Sequence, residues 1–258
     1  MLAHDVNGPA IDGSTAAPVL VLGSSLGTTA AMWQPQVEVL ARHFRVVRFD
    51  HRGHGRSPVP DGPYALADLG RDVLTLLDHL GLDRVSYAGV SLGGMVGMWL
   101  AANAPQRIDQ LGLICTSACV PPASKWLKRA ETVRSEGMAA IADAVVDAWF
   151  TPRFRDAHPE TFASFLAMIR AAPPLGYAGC CAALAGMDLR PELAQIVAPT
   201  LVIAGASDVA IPPDHGRAIA EGVPDSRFEL VAGAHIANVE SADAVTTLLL
   251  DHMMGADR

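Results

Sequence analysis

Short apolar runs alternate along this chain with longer stretches whose apolar residues recur at helical spacing. Val19-Leu20-Val21-Leu22 follows Pro18 and predicts a short buried strand. Residues 45–50, 84–88, 108–115, 200–205 and 227–231 are further extended runs. Leu69, Val73, Leu76, Leu77 and Leu80 fall on one face of a helix over residues 66–80, and Gly81 stands where glycine ends helices. Residues 29–42, 94–102 and 242–253 read as helices too. Strands and helices alternating at these lengths predict an α/β fold with a mostly parallel, doubly wound sheet.

Residues 120–198 break the rhythm. They carry no strand pattern and read as several helices punctuated by Pro152, Pro159, Pro173-Pro174 and Pro191. Helices inserted between two strands of such a sheet sit over its carboxyl edge, where ligands bind in open α/β folds. The expected organisation is a core of residues 1–119 and 199–258 with a helical cap of residues 120–198.

The chemistry is concentrated at that edge. Gly89-Val90-Ser91-Leu92-Gly93 follows a strand pattern and opens a helical one. This is the setting in which G-x-S-x-G carries a nucleophile: the serine stands on a sharp turn, and the helix N-terminus beneath it favours developing negative charge. A serine needs a base, and the base an orienting acid. In the chain order Ser, acid, His, Asp208 follows the strand that ends at Gly205, and His235 follows the last strand. Asp214 is a rival acid, but it opens a helix and reads as a cap. His51 and His54 precede the serine, the wrong order for its base. His4, His43, His79, His158, His215 and His252 fall in tails or on helix surfaces. The backbone N–H of Leu92 is the first expected oxyanion donor. The loop Gly23-Ser24-Ser25-Leu26-Gly27 supplies the second, from Leu26, or failing that Ser25.

Composition narrows the ligand. Half of the 258 residues are hydrophobic, enough for one large core, and the formal net charge is -8 with acids and bases interspersed. That excludes a nucleic-acid surface, and any anionic ligand must be held by local cations. No apolar run reaches the roughly 18 residues of a membrane span. Met1-Leu2-Ala3-His4-Asp5 lacks the basic-then-apolar order of a leader. Cys115, Cys119, Cys180 and Cys181 have no paired metal-ligand spacing. Reduced thiols in a cytoplasmic protein are expected, with no metal and no cofactor.

With these marks the chain resembles the α/β-hydrolase superfamily over essentially its whole length and, within it, the 3-oxoadipate enol-lactonases. Residues 23–28 with Met32-Trp33, residues 50–57 (Asp-His-Arg-Gly-His-Gly-Arg-Ser) and residues 88–95 carry the superfamily likeness. In the cap, Trp126, Arg129, Arg134 and Gly137, then Ala148-Trp149-Phe150-Thr151-Pro152 and Gly176-Tyr177-Ala178-Gly179-Cys180-Cys181, are more discriminating. Ser24 departs from the small polar residue, such as asparagine, that the resemblance implies there. The resemblance implies hydrolysis of a small anionic lactone in aromatic catabolism. Arg129 or Arg134 would read its carboxylate, and Ser25, Trp126, Trp149 and Tyr177 would line the pocket. Other esterases and lactonases, cofactor-free haloperoxidases and perhydrolases share the core and differ in the cap. A binding protein without turnover would not need the complete Ser91, Asp208 and His235 set. The oligomeric state stays open.

Overall fold

The computed structural model describes residues 1–9 and 17–255. Its strands are β1 (His4–Asn7), β2 (Val19–Gly23), β3 (Arg45–Phe49), β4 (Val85–Val90), β5 (Ile108–Ile114), β6 (Thr200–Gly205) and β7 (Ser226–Val231). They form one seven-stranded sheet in the order β1-β3-β2-β4-β5-β6-β7, parallel except for β1, which pairs antiparallel with β3. The chain runs outward from β2 to β3 and returns to the other side of β2 with β4. The carboxyl ends of β2 and β4 therefore flank the point where the winding reverses, and Gly23 sits opposite Gly89 there. A crevice opens at such a point.

The apolar runs become strands because both faces of the sheet are covered. β4 and β6 are buried at every residue. Leu20 and Leu22 are fully buried in β2, and each contributes on the order of 1.5–3 kcal/mol of apolar burial. β1 has no counterpart among the predicted strands. Its sequence, His-Asp-Val-Asn, has one apolar residue and stays largely unburied at the sheet edge, so no periodicity announces it.

The covering helices are α1 (Gln34–Leu40), α2 (Leu66–His79) and α3 (Leu92–Asn103). The helix expected over 29–42 begins as a 3-10 turn, Ala30–Trp33, before Pro35 opens α1. Between β5 and β6 run α4 (Ala123–Glu136), α5 (Ala139–Asp147), α6 (Pro152–Ala157), α7 (Pro159–Arg170) and α8 (Pro174–Gly186), with no strand among residues 120–198. Helices α9 (Pro213–Gly222), α10 (Ala237–Glu240) and α11 (Ala242–Met253) complete the chain.

α8 meets the core at backbone distance where Gly176 faces Gly53. A Cβ on Gly176 would lie 2.2 Å from the Gly53 carbonyl oxygen, and one on Gly53 would lie 2.5 Å from the Gly176 Cα. One turn on, Gly179 lies against the Tyr64 ring, and its carbonyl accepts from the Tyr64 N–H at 3.3 Å. This contact seats the inserted helices over the loop of residues 51–55.

Candidate active site

Ser91 stands between β4 and α3 with φ 54° and ψ −113°, a left-handed backbone that few L-residues adopt. The structure fixes it from several sides. The Ser91 N–H donates to the Ile114 carbonyl at 2.9 Å, and the Ser91 carbonyl accepts from the Thr116 hydroxyl at 2.7 Å. The flanking glycines are required by contact. A Cβ on Gly89 would fall 2.2 Å from the Gly93 carbonyl carbon, and one on Gly93 would fall 2.2 Å from the Gly23 oxygen. The Tyr87 hydroxyl, buried in the sheet, donates to the Gly93 carbonyl at 3.0 Å. Leu92 is the first residue of α3, so its N–H has no acceptor within the helix.

Asp208 and His235 come from the loops after β6 and β7 and meet at the same edge. The His235 Nδ1–H donates to Asp208 Oδ2 at 2.8 Å, and both residues are buried. The other carboxylate oxygen, Oδ1, accepts from the N–H groups of Ala210 at 2.8 Å and Ile211 at 2.9 Å. The Asp208 carboxylate is thus fixed by three donors, and its bond to Nδ1 leaves His235 Nε2 for the pocket. Asp214 lies in the first turn of α9 with its side chain in solvent, away from His235.

The segment of residues 50–57 braces the loop after β2. Nε2–H of His51 donates to the Ser24 carbonyl at 3.1 Å. Nε2 of His54 accepts from the Gly27 N–H at 2.9 Å, while its Nδ1–H donates to the Arg52 carbonyl at 3.2 Å. Asp50 Oδ1 accepts from the Ala30 N–H at 2.8 Å. Burial lowers the pKa of both imidazoles, His51 to about 3, and the neutral rings suit these bonds. Two thioethers assist: Met32 Sδ accepts from the Ser25 N–H at 3.2 Å, and Met168 Sδ from the Thr29 N–H at 3.2 Å. The Ser25 N–H is therefore occupied, whereas the Leu26 N–H has no acceptor among the described residues. Ser24 Oγ is buried without a partner among them.

A cavity of about 170 Å³ lies over these groups. Ser25, Leu26, Ser91 and His235 line it from the core, and Trp126, Arg129, Trp149 and Tyr177 from the inserted helices. No Asp or Glu is among its lining residues, which include a second cation, Lys125, one turn before Arg129 on α4. The Arg129 guanidinium stacks on Trp126 at 5.0 Å and has no carboxylate partner among the described residues. Trp126 is itself held by its Nε1–H on the Val120 carbonyl at 2.9 Å. Burial raises the Tyr177 pKa, and the neighbouring Arg129 charge opposes that shift.

Arg134 is not brought to the cavity. It is exposed near the end of α4, five residues and so about 140° around the helix from Arg129. Leu92 is fully buried and meets the site through its backbone rather than as a lining side chain. Among the described residues no group of three or more His, Cys, Asp or Glu could hold a metal ion, and no helix is long and apolar enough to cross a membrane.

The chain as a whole is similar to known proteins. Residues 18–242 match the family described as alpha/beta hydrolase fold. The chain is 40% identical over 227 residues to 3-oxoadipate enol-lactonase 2 of Acinetobacter baylyi, covering 88% of this chain and 85% of that one. It superposes on the crystal structure of the enol-lactonase from Burkholderia xenovorans LB400 with a TM-score of 0.95 at 40% identity, covering 98% of this chain and 96% of that one. It is also 33% identical to the RutD protein of Agrobacterium fabrum, whose name provisionally assigns carbamate hydrolysis, over 94% of this chain and 95% of that one. A serine on a glycine-flanked turn at the switch point of a mostly parallel sheet, the match to the family and these relatives agree: the chain belongs to the α/β-hydrolase family and is similar to its enol-lactonases.

Proposed function

We propose that this hydrolase opens a small anionic enol-lactone, 3-oxoadipate enol-lactone or a near analogue, through an acyl-enzyme on Ser91. Residues 120–198 act as the cap that selects the substrate. The observation that carries the reading is Arg129: a guanidinium with no carboxylate partner among the described residues, in a cavity lined by no Asp or Glu, in a chain of net charge -8. A guanidinium binds a carboxylate through two parallel hydrogen bonds, and Arg129 lines the same cavity as Ser91 and His235.

The chemistry follows from the groups in place. Nε2 of His235 takes the Ser91 hydroxyl proton as Oγ attacks the lactone carbonyl. The N–H groups of Leu26 and Leu92 receive the oxyanion, a contribution of about 3 kcal/mol per donor to the transition state. Asp208 holds the imidazole and stabilises its cation. The ring C–O bond breaks, and the departing enol oxygen takes the proton from His235. The enol then becomes the ketone. This leaving group departs more readily than a simple alkoxide, so little is asked of the general acid. Water, deprotonated by His235, attacks the ester on Ser91; the acyl C–Oγ bond breaks, His235 returns the proton to Ser91 Oγ, and the second carboxylate is released. Nothing in these steps calls for a metal or cofactor.

The test compares kcat/KM for the enol-lactone, p-nitrophenyl acetate and a small carbamate. The enol-lactone is expected to exceed both of the others by orders of magnitude. Equal or faster turnover of the neutral ester would make the protein a general esterase, and preference for the carbamate would align it with the RutD relatives. Either result overturns the lactone reading.

A further inference from the structure

Glu240 lies outside the cavity yet touches the backbone on both sides of the seam between core and cap. It ends α10, the short helix that begins two residues after His235. Its Oε2 accepts from the N–H of Ala234, the residue before His235, at 3.0 Å. The same oxygen accepts from the Thr151 N–H at 3.1 Å, and Oε1 accepts from the Thr151 hydroxyl. Thr151 in turn caps α6, its Oγ1 accepting from the Phe154 N–H at 3.2 Å. On the other side of His235, the Ile236 N–H donates to the Trp149 carbonyl at 3.1 Å. Gly233 makes room for the carboxylate, since a Cβ there would lie 3.0 Å from Glu240 Cγ, on a backbone with φ +100°.

The residues before and after His235 are therefore both tied to the three-residue segment 149–151. That segment carries Trp149, whose side chain forms part of the cavity wall and packs edge-on against Phe165 of α7. One bond is a direct backbone link. The other passes through a carboxylate, and hydrogen bonds to a charged group are the stronger kind. Asp208 fixes one ring nitrogen of His235, but it does not fix the height of the loop over Ser91. The loop is tied to the core by the Ser207 N–H on the Gly233 carbonyl at 2.8 Å and the Cys115 thiol on the Ala234 carbonyl at 3.6 Å, and to the inserted helices by Glu240 and the Trp149 carbonyl.

We infer that Glu240 is a positioning residue for the hydrolysis: it straps the His235 loop to residues 149–151, so that the seated cap completes the alignment of the base on Ser91. The inference rests on the reading of His235 as base and Ser91 as nucleophile. A misplacement of about 1 Å in such a group can cost on the order of a hundredfold in rate. Glu240 and Thr151 do not line the cavity, so their loss should move kcat and leave KM largely alone.

The experiment measures kcat and KM for p-nitrophenyl acetate in Glu240→Ala, Glu240→Gln and Thr151→Val, well below each variant's unfolding transition. Glu240→Ala is expected to lower kcat roughly ten- to a hundredfold with KM within about twofold. Glu240→Gln keeps an acceptor for the Ala234 N–H and should recover part of the loss. Thr151→Val keeps the side-chain shape, removes the hydroxyl and should cost a few-fold. A folded Glu240→Ala with wild-type kcat overturns the inference, as does a loss confined to KM or one that only follows the unfolded fraction. Should Glu240→Ala fail to fold, unchanged kcat in both Thr151→Val and Glu240→Gln overturns it. Ser91→Ala in the same assay separates the two readings: turnover surviving there refutes the nucleophile, whatever Glu240 does.

Discussion

The turn at Ser91 and the inserted helices over it are built on opposite principles. The turn is crowded: glycines meet at backbone distance, Tyr87 reaches across to Gly93, and the surrounding strands are buried at nearly every residue. Among the inserted helices α8 is buried along most of its length, but α4 is looser. α4 buries only Ala130 and Val133, and presents Lys125 and Arg129 to the cavity without counter-charges among the described residues. Two like charges one turn apart are unfavourable on an isolated helix. Such a pair is placed better for a ligand than for the helix. The contrast suggests that one region supplies the reaction and the other its selectivity.

Four substitutions would break or sharpen that contrast. Ser91→Ala should lower kcat by on the order of a million-fold on every substrate, as in other serine triads, while the fold persists. Wild-type turnover would refute the division outright. Arg129→Ala should act on one substrate only. Losing a charge-assisted hydrogen bond costs about 1.5–3 kcal/mol, roughly ten- to a hundredfold in kcat/KM for the enol-lactone. p-Nitrophenyl acetate should barely notice, and equal losses on the two substrates would make Arg129 a structural residue of α4.

His51 probes the crowded region through pH. Burial, reinforced by the neighbouring His54 charge and opposed by the bond to Ser24, holds its pKa at about 3, against 6.5 for a free imidazole. Between those values the unfolded chain binds a proton that the folded chain refuses. Stability should therefore fall as the pH drops below 6.5, by about 1.4 kcal/mol per pH unit from this group. His51→Asn should flatten that slope in urea titrations near pH 6 and pH 5, and parallel slopes for the two proteins would exclude His51 as its source. Ser24 gives the smallest effect. Its buried hydroxyl has no partner among the described residues, so Ser24→Ala should leave stability unchanged or raise it by up to ~1 kcal/mol. A clear drop in melting temperature would reveal a bond the hydroxyl makes.

The two regions were also unequally legible. Where strands are buried on both faces, hydrophobic runs announce them, and β6 and α11 fall on the expected residues, 200–205 and 242–253. β1 was invisible because an edge strand needs little apolar character. Chain order and strand ends suffice to propose Ser91, Asp208 and His235, because the fold fixes which loops meet. Chain order also sets His51 and His54 aside as bases, but it cannot say that both brace the loop at Leu26. That role depends on which backbone groups lie within 3 Å or so, and nothing in sequence spacing encodes it. Over residues 120–198 the prolines mark the helix starts well. Which face of α4 turns inward is set by packing on α8, and so sequence could put Arg129 ahead of Arg134 without setting Arg134 aside. Glu240 leaves no pattern at all, since a carboxylate that bridges two loops has no periodicity.

The contact between Gly53 and Gly176 bears on how such a protein can vary. Every single-base change that replaces a glycine codon's amino acid brings in a side chain or a stop. At these two positions any side chain would collide with main chain that has nowhere to go. The seam is thus closed to gradual drift. Val145 and Ala148, which line the cavity, are only part-buried. Substitutions can accumulate there one codon at a time while the glycine contact stays fixed.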